Sequence, residues 1–293
     1  MSNKVQLYKI RDFGAKINAT IEYIRYNILS LLKIVLLIAA PLGLLMAIVF
    51  SGFFSTMMQV SLNPQMNPAD SMAFVGQLGS SYMMMTLLSM VSFSFLFAAI
   101  YGYMLINDKQ EVQPSTIEIL KAIVSKIPKM VILMILIGIV SSIGFVFFVI
   151  PGIYLMVTLS LALPILIIED VSIGKAFSKS FQLIKGKWWS TFGLMVITTI
   201  IASIVSYVFA IPFYALFLAD LFSSSMESGG DPSAVFESFS SWYSTAGMAL
   251  MMIGSYITYL IPILALGFQY FNLSERVEGR GIRNQINEFE TVA

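Results

Sequence analysis

Cysteine and histidine are both absent from the 293 residues. Their absence removes thiol nucleophiles, disulfides, the commonest general base and the usual transition-metal ligands. Charge is scarce as well: 11% of the residues are charged and 58% are hydrophobic, against about 25% charged in an ordinary soluble domain. A soluble fold of this length has no core large enough for so much apolar surface, so lipid is its expected solvent. The chain contains no Gly-rich phosphate-binding loop and no Ser-His-Asp set. No Asp, Glu, Lys or Arg falls in the middle of an expected span, which argues against ion-coupled pumps and proton relays. The expectation is a non-enzyme with no cofactor and no metal.

What is present reads as an all-α membrane protein, a single polytopic domain over residues 1–293. It has six transmembrane helices, at about 31–57, 80–106, 130–150, 153–168, 188–218 and 242–271, and a charged tail over 273–293. Three amphipathic segments, 10–28, 114–127 and 172–185, have helical periodicity and basic residues on the polar side, as suits helices lying in the interface. Their apolar faces are expected at Phe13, Ile17, Ile21, Ile24 and Ile28, then Ile117, Leu120, Ile123, Val124 and Ile127, then Ile173, Ala176, Phe177, Phe181 and Ile184. Polar loops are expected at 59–79 and 220–241. Pro151-Gly152 reads as a tight turn between the third and fourth spans. Pro41, Pro164, Pro212 and Pro262 lie inside spans, where each removes one backbone hydrogen bond and kinks the helix. A cleaved leader is not expected, because no small-residue cleavage site follows a short apolar core.

The basic residues fix the orientation. Residues 1–33, 107–129, 169–187 and 273–293 hold six, four, four and three Lys/Arg, all 17 in the chain. The segments assigned to the other side carry only acids: Asp70, Asp220, Glu227, Asp231 and Glu237. The positive-inside rule therefore places both termini in the cytoplasm. Three units, 11–106, 114–168 and 172–272, each lead from a basic helix into a helical hairpin, which suggests a threefold repeat with all units pointing the same way.

The central stretch carries the most distinctive pattern. Pro151-Gly152-Ile153-Tyr154 opens it, Pro164 and Glu169 close its span, and Ala176, Phe177, Ser180, Leu183, Gly186, Trp188 and Trp189 follow at fixed intervals. Residues 150–195 resemble a group of bacterial six-helix membrane families. These include the membrane domain found beside glycerophosphodiester phosphodiesterases and the YciC-like membrane proteins. The resemblance implies an architecture and a bacterial inner-membrane location. It imports no activity, since the phosphodiesterase domain and its histidines are absent.

Glu169 and Asp170 form a candidate acidic pair at the cytoplasmic mouth, where the plainer reading has them cap the following helix. Lys16, Arg25, Lys121, Lys126, Lys175, Lys179, Lys185 and Lys187 are candidate contacts for anionic lipid head groups. Trp188, Trp189 and Trp242 are expected interfacial anchors. The expected partners are the lipid bilayer, anionic head groups and other membrane proteins, with no nucleic acid. The leading reading is a non-catalytic scaffold or accessory subunit. The alternative is a transporter or binding protein for a lipidic or uncharged amphiphilic solute.

Overall fold

The computed structural model describes residues 5–62, 67–109, 113–227, 242–279 and 281. Among these, every regular element is helical: α1 Phe13–Leu62, α2 Pro68–Lys109, α3 Thr116–Ile123, α4 Ile127–Phe147, α5 Val149–Ser160, α6 Ala162–Glu169, α7 Ile173–Ile184, α8 Trp188–Glu227, α9 Trp242–Thr258 and α10 Leu260–Glu278. A 3-10 turn, Val124–Lys126, joins α3 to α4. Five helical stretches are long and apolar enough to cross a membrane, or six when Phe13–Ile38 and Ala40–Phe54 are taken as one bent span.

Several boundaries differ from expectation, each for a local reason. No break separates an interfacial helix from the first span: α1 runs unbroken for 50 residues, because nothing between Tyr26 and Leu32 is Gly or Pro. α2 starts at Pro68 and α8 continues to Glu227, so much of the two expected loops is helical. The remaining loop residues, 63–66 and 228–241, and most of the tail, lie outside the described residues.

Three helix breaks follow one rule. The interruptions at Phe148, Leu161 and Tyr259 each lie three residues before a proline, namely Pro151, Pro164 and Pro262. A proline has no N–H for the carbonyl four residues back, and its ring crowds that carbonyl, so the helix restarts with the proline in its first turn. The expected Pro151-Gly152 turn is thereby corrected: the non-helical residue is Phe148 (φ −162°, ψ 152°), and both residues sit inside α5. Gly152 is needed for close approach. A Cβ there would lie 2.4 Å from Cγ of Phe145, and one on Gly144 would lie 2.9 Å from Cα of Gly152. The two limbs therefore meet backbone to backbone. Pro41 stands just past a 44° bend of α1 between Ile38 and Ala40, while Pro212 is accommodated inside α8 without a break.

The chain forms two compact units. The unit Val35–Phe93 with Ser203–Thr258 packs through small residues and aromatics: Ala47, Phe213, Met248 and Ala249 form its buried cluster. Gly43 meets Ile253, and Gly254 meets Phe209. The hydroxyls of Ser206 and Thr258 share a 2.6 Å hydrogen bond. The unit Met1–Ile34, Ser94–Ala202 and Tyr259–Ala293 contains α3 to α7, α10 and the adjoining ends of α1, α2 and α8. It holds the polar contacts described next.

In the three amphipathic segments the side turned to the protein is partly polar. Between Phe13 and Ile28 of α1 the buried residues are Lys16, Ala19, Thr20, Tyr23 and Asn27, while Ile21 and Ile28 are exposed. On α3 and the following turn, Ile119, Ile123 and Ile127 are buried while Ile117 and Val124 are exposed. On α7 the inward face is Ala176, Ser180, Leu183 and Ile184, and Phe181 is exposed. In lipid an apolar side chain gains nothing by turning inward, whereas a polar one must find a protein partner.

Candidate functional site

The acidic pair forms the centre of a charged cluster. Glu169 ends α6, and Asp170 caps it with a left-handed backbone (φ 50°), a conformation that an Asp tolerates better than most residues. Neither carboxylate caps α7, whose N-cap is Ser172; that plainer reading is corrected. Lys179, two turns into α7, reaches back to Glu169 at 2.7 Å and also pairs with Glu278 near the end of α10. The hydroxyl of Tyr270 donates to Glu169 at 2.5 Å, and Ser274 donates to Glu278 at 3.2 Å. Lys126 pairs with Asp170 at 3.3 Å and donates to the carbonyl of Ile167. The side chains of Glu169 and Lys179 are 8% and 17% exposed. Two carboxylates share one ammonium here, so α6, α7 and α10 are tied at a single point.

A second cluster gathers around Lys16. Its ammonium is 2% exposed and donates to Gln269 Oε1 at 2.6 Å and Ser190 Oγ at 2.9 Å. Gln269 in turn donates to Thr191 at 2.8 Å. The structure thus gives Lys16 protein partners in place of the head-group contact read from sequence. Beside it, the backbone N–H of Arg11 donates to Asn272 at 2.8 Å. The guanidinium of Arg11 reaches the carbonyl of Leu7 at 3.1 Å.

A third, uncharged cluster joins α1 to α2. Tyr103 donates to Asn27 Oδ1 at 2.8 Å, and Tyr23 meets Tyr103 edge-on. Ser30 donates to Gln113 at 2.7 Å.

The remaining candidates lie at the surface. Arg25, Lys121, Lys175, Lys185 and Lys187 are exposed. A groove of about 260 Å³ is lined by Glu169, Val171, Lys175, Ser178, Lys179 and Gln182, so three of the sequence candidates share one wall. Trp189 and Trp242 are exposed as anchors would be. Trp188 instead stacks on Tyr154 and donates from its indole to that residue's carbonyl at 3.3 Å. Among the described residues no three carboxylates converge as a metal ion would require. What the arrangement supplies is an ion-paired brace and exposed cations.

Sequence reasoning missed Tyr270, Gln269, Asn272, Glu275 and Glu278, all on α10. The signal was available. The run Gln269, Asn272, Ser274, Glu275, Arg276 and Glu278 is too polar for a helix facing lipid, and an inward face for it follows.

No curated protein and no solved structure matches the chain. A family model described as a domain of unknown function, DUF7847, matches residues 112–271. That range takes in the hairpin α4–α5, the acidic pair, Lys179, both tryptophans that open α8, and Gln269 and Tyr270 of α10. The match covers more than half of the sequence, and the chain belongs to the DUF7847 family.

Proposed function

We propose that this protein is a non-catalytic scaffold or accessory subunit of a bacterial inner membrane, with both termini in the cytoplasm and its basic face held against anionic head groups. The observation that carries this reading is the division of labour among the cations. Lys16, Lys126 and Lys179 are used up in internal contacts. Lys121, Lys175, Lys185 and Lys187 remain exposed on the neighbouring segments. Exposed cations at the edge of a negative cytoplasmic leaflet gain roughly 1 kcal/mol each. The braced set holds the helices that present the others, as a docking surface requires. The six-helix families that residues 150–195 resemble share this type of architecture, which supports the membrane assignment.

Purification from native membranes in mild detergent, with mass spectrometry of bound lipid and protein, tests the proposal. A membrane protein held in fixed ratio by the wild type and lost from a Lys175→Glu, Lys185→Glu, Lys187→Glu variant is the expected result. A single neutral amphiphile bound by both, with no protein partner, would move the assignment to transport.

A further inference from the structure

The basic face of α7 is not uniform. Lys175, Ser178, Lys179 and Gln182 fall at i, i+3, i+4 and i+7, one stripe of the helix. All four line the groove of about 260 Å³ that Glu169 and Val171 complete. Lys179 is spent within the protein, on both oxygens of Glu169 and on Glu278. Lys175, Ser178 and Gln182 are exposed, and none has a hydrogen-bond or ionic partner among the described residues. Ser178 lies about one helical turn from each of the other two, so the long side chains of Lys175 and Gln182 can close over its hydroxyl. The groove therefore offers an ammonium, an amide N–H and a hydroxyl, above a floor whose own charges are already engaged.

Charge and size narrow the ligand. Glu169 and Glu278 balance Lys175 and Lys179, so the locality as a whole exerts little pull on a polyanion, and what it holds it holds by contact. Glu169 has one oxygen on Lys179 and Tyr270 and the other on Lys179 again, which leaves the donors to face the ligand. A volume of about 260 Å³ lies below the roughly 300–1,000 Å³ of a drug-sized site, so one small group fits. Three donors with a single free cation suit a singly charged phosphate, whose oxygens accept several hydrogen bonds at once. The surroundings suit an ester of that phosphate carrying apolar chains. Val171 lines the groove, Phe181 beside Gln182 in sequence is 42% exposed, and Trp189 beyond the end of α7 is 77% exposed. Apolar and aromatic surface beside a polar stripe is the composition of the head-group level.

We propose that this groove seats one phospholipid, its phosphodiester bound by Lys175, Ser178 and Gln182. The seat presupposes a basic face held against anionic head groups, and it adds a built site to that general attraction. General attraction counts charges, so Lys185 and Lys187 serve it as well as Lys175 does, and salt weakens it. The seat uses neutral side chains too, and its short contacts are screened less.

Neutral substitutions separate the two. In native mass spectra from phosphatidylglycerol nanodiscs, the wild type is expected to carry one lipid per chain that survives high salt. The Ser178→Ala, Gln182→Ala variant removes no charge and lies on the exposed side of α7, and it is expected to retain that lipid about tenfold less. Gln182→Glu, which sets a carboxylate beside the phosphate, serves as a second variant should the first fail to fold. The Lys185→Gln, Lys187→Gln variant is expected to lose salt-sensitive lipid and keep this one. Equal retention by the wild type and the folded neutral variant overturns the seat and leaves the general attraction standing. Inorganic phosphate, added to the lipid-free protein in detergent, tests for a free anion: if it raises the melting temperature of the wild type alone, and no lipid survives salt, the lipid assignment is overturned. A protein retained in place of the lipid overturns it as well.

Discussion

Replacing Lys179 with methionine removes the ammonium shared by Glu169 and Glu278 while keeping the length of the side chain. Glu169 then stands 8% exposed without the Lys179 cation, while the Tyr270 hydroxyl still donates to it. Breaking a fully buried pair costs about 3–5 kcal/mol, and an exposed one about 0–1 kcal/mol. Lys179 retains 17% exposure and Tyr270 still donates, so the single change is expected to cost about 2–3 kcal/mol, inside the range set by those limits. Glu169→Gln keeps the shape and leaves Lys179 its contact with Glu278, for a loss of about 1–2 kcal/mol. In the double variant Glu278 still lacks that cation but is 26% exposed and accepts from Ser274, whereas no buried charge is left at position 169, so the loss is expected to fall short of the sum by about 1–2 kcal/mol. The assay is unfolding of the four detergent-purified proteins, followed by loss of helical signal under identical lipid and detergent. Additive losses, within about 0.5 kcal/mol, would show that the contact does not brace α6 to α7, and the account of the site would fall with it.

Gly152→Val is expected to abolish the folded hairpin, since its side chain would overlap the Phe145 ring, whereas Gly138→Ala in open space on α4 is expected to be neutral or stabilising by up to about 1 kcal/mol; size-exclusion profiles and melting curves separate the two. Tyr101→Phe is expected to leave stability unchanged or raised, because the buried hydroxyl has no hydrogen-bond partner; a loss above about 1 kcal/mol would contradict that. Ser224→Cys is expected to react with an impermeant maleimide in intact cells and Ser178→Cys only after permeabilisation; the opposite pattern would invert the orientation.

How far the sequence discloses the fold depends on which force sets each feature. Helix type and approximate place were legible because an apolar run bounded by Lys and Trp has one solution in lipid. The breaks were legible in kind but misplaced: Pro151, Pro164 and Pro262 interrupt the helix three residues upstream, just past the carbonyls four residues back that they leave without an N–H. Helical periodicity gave the apolar residues of the amphipathic segments but not which polar ones meet the protein. On α1 Ile21 and Ile28 are exposed, and Lys16, Thr20 and Asn27 are buried. Glu169 stood out in the sequence, yet its partners Lys179 and Tyr270 lie 10 and 101 residues away. Such pairings come from helix packing, which no local pattern encodes. The stacking of Trp188 on Tyr154 was invisible for the same reason.

The most direct measurement is the lipid retained by the purified protein, by native mass spectrometry from nanodiscs containing equal phosphatidylglycerol and phosphatidylcholine. The account predicts clear enrichment of phosphatidylglycerol on the wild type, lost in the Lys175→Gln, Lys185→Gln, Lys187→Gln variant and weakened by salt. Equal retention of both lipids by wild type and variant would contradict it, and the basic face would then have no lipid to hold.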